Sequence, residues 1–215
     1  PHIGNCGVNE EDMESGGIQA SGLIIKELPV RASNFRRSSN LPEYLKSQGT
    51  VAIAGIDTRR LTRRLRSFGA QNGCIFGLHV GQVCAPSHVE EAIARAKAAP
   101  SMAGLDLARV VSCSEQTEWR ETAWTLERGY GQCADPRFHV VAYDFGAKYN
   151  ILRSLASRGC RVTLVPAQTT AAKAMALKPD GIFLSNGPGD PEPCTYAIGA
   201  ARELIDLGLP TFGVC

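Results

Sequence analysis

Two stretches of this sequence carry residue types suited to acyl-transfer chemistry. Cys215 follows Phe212-Gly213-Val214, and Asn186-Gly187-Pro188-Gly189 follows Ile182-Phe183-Leu184. A thiol at a sharp strand-to-helix turn becomes a nucleophile when the N-terminus of the next helix lowers its pKa. Glycines in a turn permit positive φ and close approach of a ligand to backbone, so that N–H groups can face a developing oxyanion. Each stretch also has a plainer reading, which spacing alone favours. The turn is then a simple strand-to-helix connection, and the cysteine a buried core residue. It is not a phosphate loop of the Walker type, because no Gly-Lys-Ser/Thr follows.

Whether the two stretches meet depends on the strands that carry them. Apolar, β-branched runs predict strands over residues 139–144, 161–165, 182–184 and 210–214. Helical spacing predicts helices over 150–158, 170–177 and 196–207 between them. Alternating strands and helices imply right-handed crossovers and a parallel sheet with helices on both faces. Ligands bind such sheets outside the carboxyl ends of the strands. The 185–190 loop leaves the third strand and Cys215 leaves the fourth, with one crossover between them, so both are expected on one edge, close in space. His139 opens the first strand, at the other end of the sheet, and is a poor general base for that edge. The other histidines, His2, His79 and His88, also precede Cys215, and no Cys–His pair is expected within the chain.

Upstream of about residue 130 the pattern differs. Gly, Ser, Asn and Asp punctuate short runs such as Gly22-Leu23-Ile24-Ile25 and Val51-Ala52-Ile53-Ala54, which read as strands and turns with helices between. One helix is predicted over 58–67, with Asp57 as N-cap, Leu61 and Leu65 on one face and Gly69 at the C-cap position. A second is predicted over 88–98, opened by Ser87. Gly129, Gly131 and Pro136 make 128–137 read as a linker. The expected fold class is therefore α/β, a mixed domain over 1–130 followed by a parallel-sheet domain over 137–215.

Composition excludes several classes of function. Lys and Arg exceed Asp and Glu by 23 to 21, so no overall field favours nucleic acid or an anionic membrane. Arg59, Arg60, Arg63, Arg64 and Arg66 make one basic helix, but without aromatic interleaving it reads as a solvated face or a surface for an acidic partner. No run approaches the roughly 20 apolar residues that span a bilayer, and the first residues show no signal peptide. The 8 cysteines contain no C-x-x-C, so free cytosolic thiols are expected, most of them small buried hydrophobes, with no zinc site.

Leu184-Ser185-Asn186-Gly187-Pro188-Gly189-Asp190-Pro191, followed by Phe212-Gly213-Val214-Cys215, resembles the two front motifs of class I glutamine amidotransferase domains. Val141-Ala142-Tyr143-Asp144-Phe145-Gly146-Ala147-Lys148, with Asn150-Ile151-Leu152-Arg153, narrows the resemblance to the carbamoyl-phosphate synthetase small-subunit family. Pro1-His2-Ile3-Gly4-Asn5, Ala32-Ser33-Asn34-Phe35-Arg36, Ile56-Asp57-Thr58-Arg59 and Gly69-Ala70-Gln71-Asn72-Gly73 resemble that family's leading domain.

The resemblance implies that Cys215 attacks the side-chain amide of L-glutamine, forming a thioester and releasing ammonia. Gly187 would donate an oxyanion-hole N–H, with a second from the residue after Cys215, and Gly189 would help to hold the glutamine. Ammonia would pass to a large synthetase subunit, which makes carbamoyl phosphate from bicarbonate and ATP for arginine and pyrimidine biosynthesis in the cytoplasm. ATP and magnesium belong to that subunit by the same resemblance, and no cofactor is assigned to this chain. The leading domain would dock the large subunit, with the 59–66 helix as a candidate contact. In the family a Gly-His-Gln run and a later His and Glu follow the nucleophile, and a serine that touches glutamine comes before the stretch that begins here. The 215-residue chain alone is accordingly expected to be inactive and to leave apolar sheet surface uncovered. The alternatives are another cysteine-dependent amidotransferase or hydrolase on this scaffold, and a non-catalytic regulatory subunit of the same fold.

Overall fold

The computed structural model describes residues 2–215; Pro1, the first residue of the opening motif, lies outside them. The chain packs as two compact units that divide between Met102 and Ala103.

In the first unit β1 (Gly22–Ile24) pairs in parallel with β2 (Val51–Ile53), Leu23 opposite Ala52. Between them lies α1 (Leu41–Ser47), whose first turn is closed by a capping box. Glu43 N–H donates to Asn40 Oδ1 at 3.0 Å, and Asn40 N–H donates to Glu43 Oε2 at 3.3 Å. Helix α2 (Thr58–Phe68) has the expected cap, Arg60 N–H donating to Asp57 Oδ1 at 2.9 Å, and the expected Gly69 at its end. All five of its arginines are exposed, which fits a solvated face and a surface for an acidic partner alike.

Helix α3 (Pro86–Ala98) starts earlier than expected, and Ser87 is not its cap. Pro86 takes the first helical position, where a fixed φ is suitable and a missing N–H is no loss. Ala85 N–H is satisfied instead by His88 Nδ1 at 3.0 Å. Among the described residues of this unit, Ile25 and Leu45 are the buried apolar side chains.

The second unit opens with two short elements that sequence periodicity does not reveal, α4 (Leu107–Val111) and β3 (Thr117–Trp119). Then come β4 (Phe138–Asp144), α5 (Tyr149–Ala156), β5 (Cys160–Pro166), α6 (Ala171–Ala176), β6 (Gly181–Leu184), α7 (Thr195–Asp206) and β7 (Thr211–Gly213). Each lies within two residues of its expected span. The strand order is β3-β5-β4-β6-β7, with β4 to β7 parallel and β3 antiparallel to β5 at one edge.

Alternation along the strands sorts side chains to the two faces. Val141, Tyr143, Val165 and Ile182 pack with Ala171 and Ala174 of α6 and with Ala200 and Leu204 of α7. Ala142, Val162, Leu164 and Phe183 pack on the opposite face with Leu152 of α5. A strand buried on both sides reads as a continuous apolar run, which is why β4 to β6 are plain in the sequence. Phe212 of β7 is largely exposed, its ring centroid 6.1 Å from that of Phe183.

The 128–137 stretch is not a free linker. Thr125 and Gly129 exchange backbone hydrogen bonds at 2.9 and 2.8 Å, Cys133 N–H donates to Arg120 O at 2.8 Å, and Cys133 is buried. The buried Arg153 on α5 draws this region in. Its Nε donates to Glu121 Oε1 at 2.7 Å, and its guanidinium lies 4.1 Å from the Tyr130 ring centroid. Residues 103–136 therefore pack with the parallel sheet, whereas the change in composition falls near residue 130.

Adjacent residues of α7 test the two-faced core. Leu204 is fully buried, whereas Ile205 is 56% exposed. Leu204→Ala should cost about 2–5 kcal/mol in urea unfolding and Ile205→Ala well under about 1 kcal/mol.

Candidate functional site

The site is built at the carboxyl ends of β4, β6 and β7. Leu184 pairs with Gly213, and Val214 N–H donates to Leu184 O at 3.1 Å. The adjacent parallel strands thus release the 185–191 loop and Cys215 at the same edge of the sheet, as strand order alone requires. Cys215 is exposed.

The loop is braced against the end of β4. Phe145 N–H donates to Ser185 Oγ at 2.9 Å, Ser185 Oγ donates to Asn186 O at 2.8 Å, and Asn186 Nδ2 donates to Gly146 O at 3.1 Å. Gly187 follows, exposed but tight against its neighbour: a Cβ there would lie 2.7 Å from Phe145 O. Any side chain at 187 must move backbone. Gly189 has φ +75, a conformation that favours glycine, and its open position would bring a Cβ to 3.1 Å from Leu107 Cδ1.

Asp144 closes the underside. Its buried carboxylate accepts from Gly146 N–H at 3.0 Å and Ala147 N–H at 2.8 Å on Oδ1, and from Cys113 N–H at 2.7 Å on Oδ2. Ser185, Asn186 and Asp144 are the side chains that support the loop. An acidic residue at a strand end followed by Phe-Gly is a signal for such a turn; nothing in the pattern announces Leu107.

The expectation that most cysteines are buried does not hold. All eight are free, but only Cys133 and Cys194 are buried, while Cys6, Cys84 and Cys215 are exposed. Several chain segments around them are turns and edges, which sequence composition does not place in a core. Burial, and then the Asp144 charge, push the Cys113 thiol up to about 11. Burial also raises Cys160 and Cys194. These thiols are held protonated, and protonated thiols are poor nucleophiles.

The histidine of this unit lies away from the site, as expected. His139 is buried at the start of β4, its N–H donating to Asp180 Oδ2 at 2.7 Å and its Nε2 2.7 Å from Thr163 Oγ1. Among the described residues no group of three or more His, Cys, Asp or Glu could hold a metal ion, and no helix is long and apolar enough to cross a membrane.

Residues 1–75 match the family model described as carbamoyl-phosphate synthase small chain, CPSase domain, and residues 141–215 match glutamine amidotransferase class-I. The carbamoyl phosphate synthase small chain of Rubrivivax gelatinosus is 66% identical over 215 residues, covering 100% of this chain and 56% of the relative. Those of Ralstonia nicotianae and Photobacterium profundum are 58% and 56% identical, again over 100% of this chain and 55% of each relative. The chain belongs to the carbamoyl-phosphate synthase small-chain family. It spans a little over half the length of these small chains, and Gly187, Gly189 and Cys215 fall within the stretch that matches the amidotransferase model.

His139 gives this small-chain segment a titration signature. Burial and then the Arg161 charge lower its pKa from the ordinary 6.5, so the fold favours the neutral ring and the unfolded chain binds the proton more tightly. Its contribution is complete above the unfolded value and is lost as pH falls below it. The urea midpoint should therefore decline as pH falls below about 6.5. In His139→Gln that part of the pH profile should flatten.

Proposed function

We propose that this chain is part of the glutamine-hydrolysing half of a carbamoyl-phosphate synthase. Cys215 Sγ attacks the side-chain carbonyl carbon of L-glutamine, and the tetrahedral oxyanion is met by the N–H of Gly187. Collapse expels ammonia, the leaving nitrogen taking up a proton, and leaves a γ-glutamyl thioester that water hydrolyses to glutamate. Gly189 helps to hold the substrate through its backbone. The division of the family's domains at 1–130 and 137–215 goes with this reading, although residues 103–136 pack with the second unit. A large subunit receives the ammonia and, with ATP and magnesium of its own, makes carbamoyl phosphate for arginine and pyrimidine synthesis in the cytoplasm.

One observation carries the reading. Pairing of Leu184 with Gly213 sends Cys215 and the Gly187 loop out of the same sheet edge, and a side chain at position 187 would have to displace the Phe145 backbone. Exposure separates Cys215 from Cys113, Cys160 and Cys194, whose pKa values burial raises.

The test uses the intact synthase. Cys215→Ser should lower glutamine-supported carbamoyl phosphate formation by about a thousandfold or more, while the rate with added ammonium salt persists. Full glutamine-supported turnover in Cys215→Ser would overturn the assignment. The 215-residue chain alone brings no imidazole of its second unit to this edge, since His139 sits at the other end of β4. It should release ammonia from glutamine no faster than its own Cys215→Ser variant, read by a coupled ammonia assay.

A further inference from the structure

Resting on the glutamine-hydrolysis reading, we propose that residues 106–113 form a positioning strap for the glutamine loop, anchored by Asp106. The strap lies along the same carboxyl-terminal edge as the site. A Cβ placed on Gly189 would lie 3.1 Å from Leu107 Cδ1, and one on Gly146 3.0 Å from Val111 Cγ2, so both strap side chains stand close against these glycines. Further along, Ala167 N–H, just past β5, donates to Ser112 Oγ at 2.8 Å, and Cys113 N–H donates to Asp144. The strap therefore touches the ends of β5 and β4 and the loop after β6.

Its anchor is a single carboxylate oxygen. Asp106 Oδ1 accepts from Arg109 N–H at 3.1 Å, which starts α4, from Tyr196 OH at 3.0 Å and from Cys194 Sγ at 3.4 Å. Cys194 and Tyr196 form the beginning of α7, where the 185–194 stretch ends. The loop is thus held at its near end by Ser185 and Asn186 against β4, and at its far end by Asp106. Between these ties stands Gly189 in its left-handed conformation, with Leu107 against it. Burial and the Asp106 hydrogen bond both push the Tyr196 hydroxyl upward, so it stays a donor to Asp106.

Asp106 touches neither the reacting atoms nor the substrate in this scheme; it acts through Leu107 and the start of α7. Loosening it should weaken glutamine binding and spare a reaction supplied with ammonia. In the intact synthase, Asp106→Ala should raise the KM for glutamine about tenfold, with kcat changed by no more than about twofold. The rate with ammonium salt should be unchanged. Asp106→Asn keeps a carbonyl oxygen at the same place and should return KM to within about twofold of the parent. Tyr196→Phe removes one of the three bonds and should give a smaller rise, which keeps the test open if Asp106→Ala fails to fold. Cys215→Ala, run alongside, must abolish the glutamine-supported rate; if it does not, the reading of the site has failed whatever Asp106 does. With that control in order, an unchanged glutamine KM in Asp106→Ala or Tyr196→Phe, or a parallel loss of glutamine- and ammonia-supported rates, would overturn the strap.

Discussion

The Asp144 carboxylate is the point on which the second unit turns. It ends β4, the strand flanked by β5 and β6, and it is buried. A charge there is tolerated only because three backbone N–H groups meet it, two from the following loop and one from Cys113. Those bonds fix the path of Phe145 and Gly146, and Phe145 O in turn sets how closely Gly187 must pack. The same carboxylate holds the end of the strap to the sheet. One side chain thereby couples a strand end, a loop of the candidate site and a segment remote in sequence.

What was legible in the sequence follows from burial. Val141, Ala142 and Tyr143 alternate between two helix-covered faces, so the strand appears as an unbroken apolar run, and the helices between strands keep a clear period. Strand order then places Cys215 beside the Gly187 loop without any contact being known. In the second unit the segments that escaped were α4 and β3, of five and three residues. Elements so short have no period, and they exist through distant partners: Asp144 for Cys113, Val162 to Leu164 for β3, and Arg153 for Glu121 and Tyr130. Glycines at 129 and 131 suggested a linker because composition reports local freedom, and the Arg153 cluster removes that freedom from outside.

The difference in exposure among the thiols follows from the same geometry. A cysteine behind the sheet edge, such as Cys113 beside Asp144, sits where burial and a carboxylate both oppose ionisation. Cys215 lies just past Val214, whose N–H donates to Leu184 O, and it is exposed. Gly187 emerges from the neighbouring strand at that same level, and a Cβ there would lie 2.7 Å from Phe145 O. Sheet register therefore places Cys215, the proposed nucleophile, whereas on the proposed reading the fit of glutamine would depend on how firmly the 185–194 stretch is held at its two ends. The first property belongs to four strands with strong apolar signatures. The second belongs to single hydrogen bonds at Ser185, Asn186 and Asp106, whose partners lie up to 90 residues away in sequence. Chemistry at this edge is set by topology, and its precision by those few long-range ties.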